Sequence, residues 1–463
     1  MPREAMPDVV VLLPGITGSV LYQGDRMVWG WSGRAALQAL WDGGTSLRRA
    51  LALDGDDPAV DDLGDGVRAT RVIPDLHLLP GVWKIDGYTR VAEALRGYFD
   101  LRPNENFFEF AYDWRRDNRV AARRLARQSH AWLAAWRAAS GHADARLILV
   151  AHSMGGLVSR YFLEVLGGWR QTRALVSFGT PYRGSLNALN TLANGERKGP
   201  GGRIDISELA RSLTAIYQLL PIYECYDAGD GVPRRVGEVQ GIPNVDAGKA
   251  AAALAFHREI ERAVEQNRQD AAYARAGYRV FPIVGTYQPT HEAARLAGAG
   301  VEMLASLAGR DRDGDGTVPR VSATPLELSA ERREMFAATR HGSLQNADAV
   351  LAHLRGAISG LYFDLGEFRR FEPGVVHLGL ELDDLYTAGA PVPLRVRPDA
   401  EGVALHAVAS DAESDAEAAR VPLAAGADGW HTAALPPLPA GTYRLRVQGG
   451  EGVEPVVDTF GVL

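Results

Sequence analysis

The sequence predicts an α/β architecture with a mostly parallel central sheet, broken by cap insertions and followed by an all-β sandwich. Three observations carry this expectation. Short β-branched runs alternate with helical stretches, two long apolar segments interrupt that alternation, and near residue 365 helical periodicity gives way to short alternating strands. At 463 residues the chain exceeds what one hydrophobic core organises, so a division into 1–364 and 365–463 is expected.

The strand runs are Val9 to Leu13, Phe107 to Tyr112, Leu147 to Val150, Leu175 to Phe178 and Tyr278 to Val284, each bounded by Gly, Pro or small polar residues. Between the second and third, a helix is predicted from Asp117 to Ser140, with Val120, Leu125, Leu133 and Trp136 on one face. The interrupting segments cover roughly 20–90 and 187–275. The first holds Trp29, Trp31, Trp41, Leu76, Leu78, Leu79, Val82 and Trp83; the second holds Ile216, Tyr217, Leu219, Leu220, Ile222 and Tyr223. Such residues either pack a subdomain core or line a cap that shields an apolar substrate. On the second reading, Trp29, Trp31, Leu79, Trp83, Leu219 and Leu220 are the candidate substrate-binding residues.

Beyond residue 365 the candidate strands are Val375 to Leu382, Val392 to Arg397, Val403 to Val408, Trp430 to Leu435, Thr442 to Val447 and Val456 to Val462. Their spacing fits an immunoglobulin-like sandwich, with the acidic stretch Asp411 to Glu417 as a solvated loop.

With 46% apolar and 23% charged residues the composition is that of an ordinary globular protein. A formal charge of −7 argues against a nucleic-acid partner, which calls for a basic stripe. Cys225 is the single cysteine, which excludes an intrachain disulfide and Cys-rich metal sites; no metal and no cofactor are expected. The run from Val9 is too short and wrongly flanked for a signal peptide, and no stretch of about 18 apolar residues occurs, so a cytoplasmic location is predicted.

The sharpest chemical signal is Leu147-Ile-Leu-Val-Ala-His-Ser-Met-Gly-Gly156, an apolar strand that runs into a small-x-Ser-x-Gly turn and then into a helix-compatible stretch. A turn this tight needs small residues two before and two after the serine, here Ala151 and Gly155, and leaves the hydroxyl exposed at the helix N-terminus. The plain alternative is an ordinary strand-to-helix junction. A nucleophilic Ser153 needs a base and a group to orient that base, which in the α/β-hydrolase fold follow in the order Ser, acid, His. Asp315, in Gly314-Asp-Gly-Thr-Val-Pro319, and His341, ahead of the amphipathic run Ala347 to Ile358, supply that order, with room between them for one strand.

Asp311-Arg-Asp-Gly-Asp-Gly316 also matches the first half of a calcium-binding loop, but the twelfth position, which should be Glu, is Ser322. For the oxyanion of acyl transfer, two backbone donors are expected: Met154, after the nucleophile, and Ile16, in the Pro14-Gly15 loop after the first strand.

These residues resemble the lecithin:cholesterol acyltransferase family, which includes lysosomal phospholipase A and the phospholipid:diacylglycerol acyltransferases. The resemblance rests on Val11-Leu-Leu-Pro-Gly15 with Gly18, Ala111-Tyr-Asp-Trp-Arg-Arg116, Val150-Ala-His-Ser-Met-Gly155, Ser177-Phe-Gly-Thr-Pro181, Leu219-Leu-Pro221, Gly285-Thr286 and Asp313-Gly-Asp-Gly-Thr-Val318. It spans roughly residues 8–360. It implies an α/β-hydrolase fold with Ser153 as nucleophile, Asp315 and His341 as its partners, and oxyanion donors after Pro14-Gly15 and after Ser153. The activity implied is serine-dependent hydrolysis or O-acyl transfer on a lipid ester, a phospholipid above all, with transient contact at a membrane surface. The chain departs from the family's secreted members in lacking their early disulfide and in its segment from 23 to 90. The competing expectation is an inert α/β scaffold whose C-terminal sandwich binds a protein or glycan partner.

Overall fold

Val9–Leu13 (β1) is apolar at every position because both of its faces are covered; all five residues have no exposed surface. In the computed structural model, which describes residues 3–30, 42–74, 87–198, 203–328, 334–362, 376–412, 414–450 and 452–463, this strand lies inside a six-stranded sheet. Its companions are Phe107–Glu109 (β2), Leu147–His152 (β3), Thr172–Phe178 (β4), Arg279–Gly285 (β5) and Met335–Ala337 (β6), in the order β6-β5-β4-β3-β1-β2. Every pair is parallel. This is the sheet of an α/β-hydrolase-type core.

The period of two along a strand divides β1 between two cores. Val9, Val11 and Leu13 pack with Leu125, Leu133 and Trp136 of helix Asn118–Ser140 and with Leu157 and Val158 of Met154–Arg160. Val10 and Leu12 face the other way, onto Val91 and Leu95 of Thr89–Tyr98 and Leu351 and Leu354 of Asp348–Ser359. Each such side chain contributes about 1.5–3 kcal/mol on burial, so β1 has no position at which a polar residue is tolerated cheaply.

Two sequence expectations change here. β2 ends at Glu109 and not at Tyr112, because the Tyr112 amide donates to Ser19 Oγ (3.1 Å) and not to a neighbouring strand. Val120 is half-buried, and Ala121 and Ala122 take its place on the inner face of the helix, whose first turn is capped by Asp117 accepting from the Arg119 amide at 2.8 Å. The strand β6 occupies the interval between Asp315 and His341.

The segment after β1 forms a three-stranded antiparallel sheet of Ser19–Gln23, Arg26–Trp29 and Val67–Val72. Between β4 and β6 the chain adds the long helix Ala247–Arg268 and a four-stranded sheet around a cluster that includes Leu189, Tyr217, Leu220, Tyr226, Ala253 and Val301.

Contacts divide the chain into Met1–Tyr362 and Phe363–Leu463. In the first unit, the Glu4 carboxylate takes Arg355 Nε at 2.8 Å and the Ser359 hydroxyl, and Tyr362 Oη donates to Asp8 Oδ2 at 2.7 Å. The second unit has two sheets. One orders Leu378–Glu381, Val392–Pro398, His431–Leu435 and Ala424–Ala425; the other orders Leu385–Tyr386, Val456–Val462, Gly441–Gln448, His406–Asp411 and Glu417–Pro422. All pairs are antiparallel except Leu385–Tyr386 with Gly461–Val462. Val392, Leu394 and Val396 of one sheet share a core with Ala407, Leu445 and Phe460 of the other, a sandwich-like arrangement. The acidic stretch starts on the strand ending at Asp411 and finishes on the one beginning at Glu417. Among the described residues, no helix is long and apolar enough to cross a membrane.

Candidate active site

Ser153 follows directly on β3 and precedes the helix Met154–Arg160, with φ 52° and ψ −124°. A non-glycine residue at positive φ is held there by its surroundings. Its amide donates to the Phe178 carbonyl of β4 at 2.9 Å, and the loop after β1 lies against the turn. A Cβ on Gly155 would stand 2.5 Å from the Pro14 carbonyl oxygen, so glycine two places after the serine is a steric requirement. This is the strained strand-turn-helix geometry that lifts a serine hydroxyl off the end of a sheet.

His341 reaches the same point from the loop after β6. Its Nε2 lies 2.9 Å from Ser153 Oγ and its Nδ1 2.7 Å from Asp315 Oδ2. Asp315 Oδ1 accepts the amides of Thr317 (2.9 Å) and Val318 (2.6 Å), and the Asp315 carbonyl accepts the His341 amide at 2.9 Å. The carboxylate is therefore an acceptor on both oxygens, which assigns the proton on His341 to Nδ1 and leaves Nε2 to accept from the serine. The Asp315 side chain is 1% exposed and that of His341 14%, so the carboxylate is sealed away while the imidazole keeps an open edge.

The loop Pro14-Gly15-Ile16 lies against the serine so closely that a Cβ on Gly15 would stand 2.8 Å from Ser153 Cβ. Side chains from the Ala111 to Arg116 segment hold it: Tyr112 Oη donates to the Pro14 carbonyl at 2.9 Å and Trp114 Nε1 to that of Ser19 at 3.1 Å. Trp29 Nε1 adds a bond to the Thr17 carbonyl at 2.9 Å. Among the described residues neither the Ile16 nor the Met154 amide has a protein acceptor. The anchoring work of Tyr112 and Trp114 has no signal in spacing alone, since their partners lie 98 and 95 residues away.

Of the substrate-binding candidates, Trp31, Leu79 and Trp83 lie outside the described residues. Trp29 is half-buried, edge-on to Trp114 with ring centres 5.0 Å apart. Leu219 is half-buried between two hydrophobic clusters, and Leu220 is buried inside one of them. Of the calcium-loop residues, Asp311 Oδ1 accepts the Asp313 amide, Asp315 is committed to His341, and Ser322 donates to the Gly184 carbonyl.

The model of the family described as lecithin:cholesterol acyltransferase matches residues 82–241, a stretch that includes Ala111–Arg116 and the Ser153 turn. No curated protein matches the chain. Solved structures align with it at low similarity. The mature lipase BlEst2 of Bacillus licheniformis is 13% identical, with 78% of this chain and 96% of that one covered at a TM-score of 0.31. Phospholipase PlaB of Legionella pneumophila is 9% identical, with 98% and 90% covered at 0.26. CopC of Methylosinus trichosporium is 16% identical, with 19% and 90% covered at 0.15. Over residues 82–241, about a third of its length, the chain is similar to the lecithin:cholesterol acyltransferase family.

Proposed function

We propose that the protein is a serine-dependent acyl hydrolase or O-acyltransferase acting on lipid esters, phospholipids above all. The observation that carries this reading is the position of His341, hydrogen-bonded to Ser153 Oγ at 2.9 Å on one side and to Asp315 Oδ2 at 2.7 Å on the other. His341 Nε2 takes the hydroxyl proton as Ser153 Oγ bonds to the ester carbonyl carbon, and the amides of Ile16 and Met154 hold the resulting oxyanion. Collapse of the tetrahedral intermediate breaks the bond to the leaving alcohol, which departs with the proton from His341. Water or a second alcohol then repeats the sequence on the acyl-enzyme and restores Ser153. Asp315 keeps the imidazole in the required tautomer and stabilises its charged form. The match of residues 82–241 to a family named for acyl transfer from lecithin supports the lipid ester.

A fluorophosphonate probe tests the nucleophile: the wild type labels and Ser153→Ala does not. Equal labelling of the two, or none of the wild type, rejects the assignment. Products from a labelled phospholipid, with and without an alcohol acceptor, tell hydrolysis from transfer.

A further inference from the structure

We propose that His152 and Tyr88 are a buried positioning pair that sets the seat of His341 against the Pro14–Ile16 loop. The inference rests on the Ser153–His341–Asp315 reading. The Gly15 amide donates to Tyr88 Oη at 2.8 Å, Tyr88 Oη lies 2.8 Å from His152 Nδ1, and His152 Nε2 lies 3.1 Å from the His341 carbonyl oxygen. The ends of this thread fix its direction, because an amide N–H only donates and a carbonyl only accepts. His152 must therefore carry its proton on Nε2, its Nδ1 must accept the Tyr88 hydroxyl, and the phenol oxygen must accept from Gly15. No other tautomer satisfies all three bonds.

The thread joins two parts of the site that approach Ser153 from different strands. At one end is the loop after β1, whose next residue, Ile16, supplies an oxyanion donor. At the other is the backbone of the base, whose own amide is tied to the Asp315 carbonyl at 2.9 Å. His341 is thus held by its main chain on both sides, through N–H by Asp315 and through C=O by His152. Both members of the pair are sealed from water, His152 6% and Tyr88 4% exposed. Burial, and next the neighbouring His341 charge, draw the His152 pKa down to about 3, so the ring stays neutral and the direction of the thread persists. Burial likewise raises Tyr88. The His152 and His341 rings stand with centres 4.9 Å apart, but the His152 ring nitrogens are committed to Tyr88 and to the His341 main chain, so its role is to position.

The test counts active sites with the fluorophosphonate probe and measures kcat and KM on a chromogenic ester for Tyr88→Phe, His152→Phe and His152→Gln. Tyr88→Phe and His152→Phe are expected to lower kcat per titrated site about 10-fold to 100-fold, since small displacements of a base cost this much, with KM little changed. His152→Gln, which keeps a donor and an acceptor, regains most of the loss. A part in stability alone would lower the melting temperature and leave kcat per titrated site at the wild-type value in all three, and that result overturns the proposal. Should His152→Phe fail to fold, Tyr88→Phe and His152→Gln decide it. Labelling that depends on Ser153 together with undiminished variants removes the positioning pair alone; a wild type that does not label removes the triad reading and the pair with it.

Discussion

His257 lies on the helix Ala247–Arg268 with its Nε2 2.8 Å from the Gln218 carbonyl, and burial, with Arg119 and Arg258 adding to it, draws its pKa down to about 4. An unfolded histidine titrates near 6.5. Between about 6.5 and 4 the unfolded chain therefore binds more protons than the folded one, so the stability this residue confers is complete above that interval and is lost as the pH falls through it, at about 1.4 kcal/mol per pH unit. His152, with its pKa near 3, acts in the same direction over a wider interval. In His257→Gln, where an amide replaces the donor to Gln218, urea denaturation at several pH values should show a shallower loss on acidification than in the wild type. Parallel curves would reject this. His257 does not stand out among the eleven in the sequence, because what sets it apart is the removal of water by residues distant along the chain.

At the scale of elements, the Arg115-Arg116 pair holds down the segment 51–65. Arg116 donates to Asp56 Oδ1 at 3.0 Å and to the carbonyls of Asp57 (3.0 Å), Val60 (2.8 Å) and Asp61 (2.9 Å), with its own side chain 4% exposed and that of Asp56 2%. Arg115 bridges Asp113 at 2.7 Å and Asp65 at 2.8 Å. Removing one partner from a buried ion pair leaves a bare charge in a dry site. Arg116→Met should accordingly cost about 3–5 kcal/mol in chemical denaturation, and the double change Asp56→Leu with Arg116→Met should cost less than the single one. A single variant within about 1 kcal/mol of wild type would show that water reaches the site. These contacts mark a limit of reading from sequence. The runs Val9 to Leu13 and Leu147 to Val150 announce strands because burial on both faces leaves an unbroken apolar word in the chain. Met335–Ala337 does not, being three residues long, and the duty of Arg116 does not, its partners lying 55 to 60 residues upstream.

For the molecule as a whole, each unit has a core of its own: the sheet β6 to β2 between two hydrophobic layers in Met1–Tyr362, and the paired sheets in Phe363–Leu463. A chain ending at Tyr362 should therefore fold and label at Ser153 as the full chain does, measured by thermal melting and by probe stoichiometry. Insoluble or unlabelled product would show that the second unit is needed for the first. That Ser153, Asp315 and His341 would meet was legible, because this fold leaves so few ways to bring a serine, a carboxylate and an imidazole to one end of a sheet. The thread through Tyr88 was not, since a tyrosine 64 residues before its histidine has no pattern to betray it. The bonds from Glu4 to Arg355 and from Asp8 to Tyr362 have one more consequence. They bring the two ends of the first unit to one corner, the arrangement that a reordering of the chain at an exposed turn requires. Joined there by a short linker and opened at a surface turn such as Gly141, the same residues would be threaded in a different order and still enclose the same cores.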